Sequence, residues 1–319
     1  MSGRRRRLPR LGAASFVVTA LLSITAHVDA TTAGAAAPSG PVATAAAEER
    51  PLTTAAGLRP HPPIALRHPG ETGLVIGHRG DPTSAPENTL PAIESAAHGV
   101  DMLEIDIRMS KDGVPVVIHD AAVERTTDGE GLVAELTADE LRALDAGAWF
   151  SPSYSGTAIP TLEEVLTSLD ADGPAVLVEF KGRWSADDVA VALDLLAAVG
   201  VDVVAQSFSA TTVARIAEAA PRLPVGWLVD EIDAGIVAQA LSIGADTVNP
   251  AAADAAGVAR AHAAGLAVLV WTPDAAADWA GLTALGVDGI ITNRPEALSA
   301  WMRNHGRGSG PVVEASGSA

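Results

Sequence analysis

Cysteine is absent from the 319 residues. Disulfides, zinc–thiolate sites, thiol nucleophiles and a lipid-modified cysteine anchor are therefore excluded. Aromatic residues are scarce, at 3%. Ala, Val, Leu and Ile must then fill the core, and a hydrophobic content of 48% suffices for a large one. Positive charge is also in short supply: Lys+Arg number 21 against 39 Asp+Glu, a formal charge of −18. So acidic a chain argues against nonspecific nucleic-acid binding and against docking on anionic lipid. An anionic substrate would have to be held locally, by a few placed cations or a metal. Lysine occurs only at Lys111 and Lys181.

The first 30 residues read as an export signal. Arg4 to Arg7 form a positive start, an apolar stretch runs over about 11–26, and Val28-Asp29-Ala30 fits a small-residue cleavage site. The stretch is short for a membrane span and is interrupted by Gly, Ser and Thr. The expectation is a secreted, extracellular protein with no stable membrane span in the mature chain. Residues 31–70 lack a hydrophobic period and read as a disordered Ala/Thr/Pro linker. Residues 304–319 read as a flexible tail.

Between them, over 71–303, apolar runs alternate with helical stretches. The runs fall at 74–77, 101–107, 175–181, 202–208, 224–229, 245–249, 266–271 and 288–292. Helical patterns at 185–199, 210–220, 254–264 and 275–285 separate them. Nearly continuous apolar strands mean a parallel sheet buried on both faces. Eight of them predict a (β/α)8 TIM barrel. An open doubly wound sheet is the alternative, but no glycine fingerprint for a dinucleotide follows the first strand. The gap after the second strand is long. It predicts an inserted segment over about 109–174, with a hairpin turn at Lys111-Asp112-Gly113, a returning strand at 114–119, and helices at 137–146 and 161–169.

Function in such a barrel sits at the C-terminal strand ends. Strand one ends in His78-Arg79, strand two carries Glu104 and Asp106, and the hairpin return carries His119-Asp120. The next strand carries Glu179 and Lys181, a later one ends in Gln206-Ser207-Phe208, and the seventh in Trp271-Thr272. Residues two apart on a strand share a face, so Glu104 and Asp106 point the same way, as do Glu179 and Lys181. Three carboxylates in one mouth repel unless a positive charge offsets them. A hard divalent cation, Ca²⁺ or Mg²⁺, suits all-oxygen ligands. An internal salt-bridge layer, Glu104 with Arg79 or Glu179 with Lys181, is the competing arrangement. A metal, two cations and two imidazoles suit phosphoryl chemistry, with one histidine removing a proton and the other delivering one.

The stretches "GHRGDPTSAPENTLPAI", "DMLEIDIRMSKDGVPVVIHDAAVERTTDGEG", "IPTLEEVL", "VEFK", "QSF", "VWT" and "DGIITNRP" together resemble the glycerophosphodiester phosphodiesterase family. The resemblance runs over roughly 74–300. It implies a (β/α)8 barrel with an inserted segment and a metal-dependent hydrolase that cleaves small-molecule glycerophosphodiesters to sn-glycerol 3-phosphate and an alcohol. It also implies His78 and His119 as the acid/base pair, Glu104, Asp106 and Glu179 as metal ligands, Arg79 and Lys181 as phosphate binders, and Trp271 as an apolar wall. A cyclic-phosphate route and direct attack by water both fit. The alternatives are a related barrel phospholipase acting on lysophospholipid or phosphoinositide, or a module that binds glycerol-phosphate wall polymer. Asn88 or Thr89 should cap the helix starting near Leu90, and Glu87 should orient Arg79 or the metal site. Asp81 and Asp274 depart from the family pattern: either would add a carboxylate near the mouth, while leaving the catalytic set untouched.

Overall fold

The structure, a computed structural model, describes residues 64–305. The export signal, most of the expected linker and residues 306–319 lie outside the described residues. Eight parallel strands close on themselves: β1 (Leu74–Gly77), β2 (Met102–Met109), β4 (Ala175–Phe180), β5 (Val203–Ser207), β6 (Val225–Val229), β7 (Thr247–Pro250), β8 (Ala267–Trp271) and β9 (Gly289–Thr292). Pairing of β1 with both β9 and β2 completes the ring. The remaining strand, β3 (Pro115–Val117), lies antiparallel on β2 after a turn in which Gly113 takes φ 80°. The predicted (β/α)8 barrel is the fold.

Strand alternation sorts the side chains. Leu103, Ile105 and Ile107 of β2 face outward into the main core with Val176, Val178 and Phe180 of β4. Inward positions in the lower part of the barrel build a separate apolar plug from Ile76, Met102, Leu177, Val204, Leu269 and Ile291. Polar inward residues follow further along the same strands. Asp106 pairs with Glu179, and Glu179 with Gln206, so these three residues form one layer across β2, β4 and β5. The plug excludes water beneath that layer, which strengthens electrostatics within it.

Helices α1 (Leu90–Ala96), α4 (Ala186–Ala197), α5 (Ala210–Ala219), α6 (Ala234–Ser242), α7 (Ala255–Ala263), α8 (Ala276–Leu285) and α9 (Pro295–His305) surround the ring. Side-chain oxygens start several of them: Ser185, Ser209, Asp233 and Asp254 each accept a backbone N–H in the first turn. Two shorter helices, α2 (Ala138–Arg142) and α3 (Leu162–Ser168), begin with capping boxes at Thr137/Glu140 and Thr161/Glu164.

Three boundaries differ from the sequence expectation. Helix α3 buries Leu162, Val165 and Leu166 in the main core, so it serves the barrel rather than the insertion. The excursion with its own small core, built on Val116, Ile118, Val123, Val133 and Leu141, ends before it. Residues 64–70, expected as linker, are tied to the barrel: Ile64 packs on the lumen plug, Arg67 N–H donates to Asp288 Oδ1 at 2.6 Å, and Gly70 N–H donates to Thr283 O at 2.8 Å. Helix α9 runs to His305, two residues into the stretch read as tail.

Candidate active site

The chain leaves β1 through a tight turn. Arg79 and Gly80 take φ 57° and 83°. For a residue with a Cβ such as Arg79 that conformation costs energy, and the surrounding contacts hold it. Its N–H donates to Glu104 Oε2 at 2.9 Å, and its Nη1 donates to Glu87 Oε1 at 2.7 Å. Its Nε stands 3.2 Å from Asp106 Oδ2. The turn thus presents the guanidinium to the carboxylates and sends His78 into the barrel mouth.

Glu104, Asp106 and Glu179 converge there. All three are buried, and one oxygen of each lies within 4.8 Å of the others. Burial, then the charges of Asp106 and Glu179, push the Glu104 carboxyl well above the usual carboxylate range. Burial and the Asp106 charge push Glu179 up to about 7. Burial would raise Asp106 as well, but Arg79 and Lys181 hold it below its ordinary value. Lys181 Nζ lies 2.8 Å from Glu179 Oε1 and 3.7 Å from Asp106 Oδ1, an ion pair shared between the two carboxylates. Of the competing salt-bridge pairs, Glu179 with Lys181 is present, whereas Arg79 pairs with Asp106 rather than with Glu104. Asp106 Oδ1 and Glu179 Oε1 remain without a hydrogen-bond partner although buried. Three buried carboxylates within 4.8 Å of one another, offset by Arg79 and Lys181 alone, fit a divalent cation. Among the described residues this is the group of three or more such side chains able to share an ion.

The two histidines have different partners. His78 Nδ1 is 2.7 Å from Asn293 Oδ1, and its Nε2 is 3.9 Å from Glu104 Oε2. Burial, then Arg79, lower its pKa to about 4. His119 Nδ1 is 2.5 Å from Asp120 Oδ1. Burial lowers the His119 pKa as well, against the raising effect of Asp106 and Asp120. Arg125 donates from Nε to Asp120 Oδ2 at 2.5 Å and grips both oxygens of Glu87, at 2.9 and 2.7 Å. One guanidinium from the insertion therefore steadies the partner of His119 and the partner of Arg79. Hydrogen bonding from Arg125 holds Asp120 far below the usual range.

These groups border a cavity of about 150 Å³ at the C-terminal strand ends. His78, Arg79, Glu104, His119, Glu179, Lys181 and Trp271 all line it, and Asp106 lies just beneath. The opposite wall is apolar: Phe208 meets the Trp271 ring edge-on at 5.4 Å, and Lys181 Nζ lies 5.5 Å from the Phe208 ring centre. A larger cavity, about 1270 Å³, opens at the other end of the barrel beside Asp101 and Pro174. It holds none of these residues.

All eight residues expected from the sequence thus come together. Several that support them do not show in a residue-by-residue reading. Asn88 does not cap α1. It takes φ 58°, donates to Asp106 Oδ2 at 2.8 Å and accepts the Asp106 N–H at 3.1 Å. Thr89 occupies the cap position, but its hydroxyl turns back to Pro86 O at 2.6 Å. Gln206 Nε2 reaches Glu104 Oε1 at 3.5 Å and is held in turn by Asn249 at 2.8 Å. Gly226 leaves room for that chain, because a Cβ there would collide with Thr247 and Asn249. Asp81 points away from the mouth, accepting from Thr83 and Ser95 beside α1, so it adds no ligand. Asp274 is spent on Thr292 and Asn293, and through Asn293 it does reach His78.

A closed parallel barrel whose C-terminal mouth gathers carboxylates, imidazoles and cations around one small cavity defines an enzyme of the barrel class. The description "Glycerophosphoryl diester phosphodiesterase family" matches over residues 78–297, more than half of the chain. The chain belongs to this family, and its activity is that of a glycerophosphodiester phosphodiesterase. It is 34% identical over 244 residues to the glycerophosphodiester phosphodiesterase of Caldanaerobacter subterraneus subsp. tengcongensis, covering 73% of this chain and 99% of that one. It superposes on an Oleispira antarctica phosphodiesterase solved with the product sn-glycerol-3-phosphate, at a TM-score of 0.68 and 27% identity, covering 72% and 96% of the two chains. The glycerophosphodiester phosphodiesterase structure from Agrobacterium tumefaciens gives a TM-score of 0.61 at 28% identity, covering 72% and 100%.

Proposed function

We propose that this enzyme is a secreted, divalent-cation-dependent hydrolase that cleaves small glycerophosphodiesters to sn-glycerol 3-phosphate and an alcohol, with His78 and His119 as its acid/base pair. The observation that carries the reading is the shared cavity: two imidazoles beside a buried carboxylate trio that outnumbers its two cations, Arg79 and Lys181. Glu104, Asp106 and Glu179 would hold Ca²⁺ or Mg²⁺, whose all-oxygen preference matches the donors. When bound, the cation neutralises charge that builds on the phosphate oxygens.

The chain's own residues then divide the work. Arg79 and Lys181 attract the phosphodiester anion into a mouth otherwise dominated by negative charge. Trp271 and Phe208 offer an apolar wall to the carbon skeleton of the glycerol. One imidazole takes the proton of the attacking oxygen while the other donates one to the leaving alkoxide; attack by water gives monoester and alcohol at once, and attack by the glycerol 2-hydroxyl gives the alcohol and a cyclic phosphate that one water then opens. Asp120 and Asn293 orient the two rings at Nδ1, leaving Nε2 of each for proton transfer. Secretion rests on the charged start and apolar run of residues 1–30. No helix of the described residues is long and apolar enough to cross a membrane.

The test is release of glycerol 3-phosphate from glycerophosphocholine after EDTA treatment, followed by addition of Ca²⁺ or Mg²⁺. Activity should vanish with EDTA and return with one or both cations. Full turnover in EDTA by metal-free protein would overturn the metal assignment. The mature N-terminus of protein recovered from culture medium tests export.

A further inference from the structure

The loops that follow β8 and β9 meet behind His78. Asp274 lies in the first and Asn293 in the second. Asp274 Oδ1 accepts from Thr292 Oγ1 and from the Asn293 N–H, both at 2.8 Å. Its Oδ2 accepts from Asn293 Nδ2 at 2.8 Å. A carboxylate has no proton to give, so the Asn293 amide must turn its NH₂ toward Asp274. Its oxygen is then left facing His78, 2.7 Å from Nδ1. An amide oxygen has no proton either, so Nδ1 must carry one. A neutral imidazole has a single N–H, and the lone pair therefore falls on Nε2, the nitrogen 3.9 Å from Glu104 Oε2 on the cavity side.

We propose that Asp274, acting through Asn293, sets the tautomer of His78 so that its Nε2 enters the reaction as a proton acceptor. Asp274 and Asn293 are positioning residues: neither lines the cavity. The inference rests on His78 being one of the acid/base pair.

The polarity of the chain makes it testable by exchange. In Asp274→Asn, oxygen can still accept from Thr292 and the Asn293 N–H, but an NH₂ now opposes the NH₂ of Asn293. Turning the Asn293 amide over relieves the clash and presents N–H to His78. The lone pair must then move to Nδ1 and the proton to Nε2, where it blocks the base. Adding Asn293→Asp restores an acceptor to both neighbours and returns the proton to Nδ1. Two substitutions that are each damaging should therefore repair one another.

The assay is steady-state hydrolysis of glycerophosphocholine with the cation that supports wild-type turnover. Asp274→Asn should lower kcat by about 10²–10³-fold, with KM changed by less than about 3-fold because substrate contacts are untouched. The double variant D274N/N293D should recover to within about 10-fold of wild type. Nitrogen-15 NMR of histidine-labelled protein, with His78→Ala to assign the signal, reads the tautomer directly. Wild type should show Nδ1–H and Asp274→Asn should show Nε2–H. Wild-type kcat in folded Asp274→Asn would overturn the proposal, as would a folded double variant no better than the single one, or an Nε2–H signal in wild type. The NMR comparison of wild type with the single variant decides the matter even where the double variant does not fold. His78→Ala separates the two levels: if it turns over normally, the catalytic reading of His78 fails, whatever Asp274 does.

Discussion

Removing the Asn88 side chain tests how the buried carboxylates proposed to hold the cation are themselves held. Asn88 is buried, at 3% exposure, and its amide makes two bonds to Asp106: one to the carboxylate at 2.8 Å and one from the backbone N–H at 3.1 Å. In Asn88→Gly both are lost and no water has ready access. A hydrogen bond to a charged group contributes about 1.5–3 kcal/mol and a neutral one about 0.5–1.5 kcal/mol, so together the loss is about 2–4 kcal/mol. For a domain of this size that corresponds to a Tm drop of roughly 5–15 °C. Asn88→Ala separates side chain from backbone. Alanine at φ 58° pays a left-handed penalty that glycine avoids. That penalty is about 1–2 kcal/mol, partly offset by glycine's larger unfolded-state entropy, and places Asn88→Ala about 1 kcal/mol below Asn88→Gly. Urea unfolding of the three proteins in EDTA gives the stabilities, and calorimetric titration with Ca²⁺ or Mg²⁺ gives the cation affinity. Affinity should fall in both variants, since Asp106 loses its anchor. An Asn88→Gly protein within about 0.5 kcal/mol of wild type, with unchanged cation affinity, would refute the reasoning that Asn88 fixes Asp106.

Glu179 makes a pH prediction. Its folded pKa of about 7 lies above its ordinary 4.5, so the unfolded chain sheds that proton first. Stability associated with protonated Glu179 is complete below 4.5 and is lost as pH rises towards 7. In EDTA, Glu179→Gln should therefore be more stable than wild type at pH 8 and indistinguishable at pH 4. Bound cation should erase the wild-type deficit at pH 8, and a variant less stable than wild type at both pH values would contradict the assignment. Arg125 bridges Asp120 and Glu87, so Arg125→Ala should lower kcat by about 10-fold or more through both His119 and Arg79. Arg125→Lys should rescue little, because a single ammonium cannot reproduce the two-pronged grip. Wild-type kcat in Arg125→Ala would remove that bridge from the account.

The sequence by itself determined a good deal of this protein. Eight nearly continuous apolar runs alternating with helical stretches leave a closed parallel barrel as their natural burial. The spacing of Glu104 from Asp106 and of Glu179 from Lys181 puts each pair on one strand face without reference to any fold. Chemistry at strand ends then assembles once the ring closes, which is why all eight chosen residues meet. The tertiary structure decided what lies between those residues. Asn88 looks like a helix cap because local pattern gives asparagine that preference, yet a left-handed backbone turns it onto Asp106 from a different strand. Asp274 looks like an added ligand because a carboxylate near a mouth reads as one, yet three bonds from Thr292 and Asn293 consume it. Helix α3 reads as insertion because it falls inside a long gap, yet its apolar face finds the main core. Strand and helix periods are local properties of the chain. The partner of a neutral amide or a half-satisfied carboxylate is set by residues up to 215 positions away, as in His78 and Asn293, and only the closed barrel brings them within a hydrogen bond.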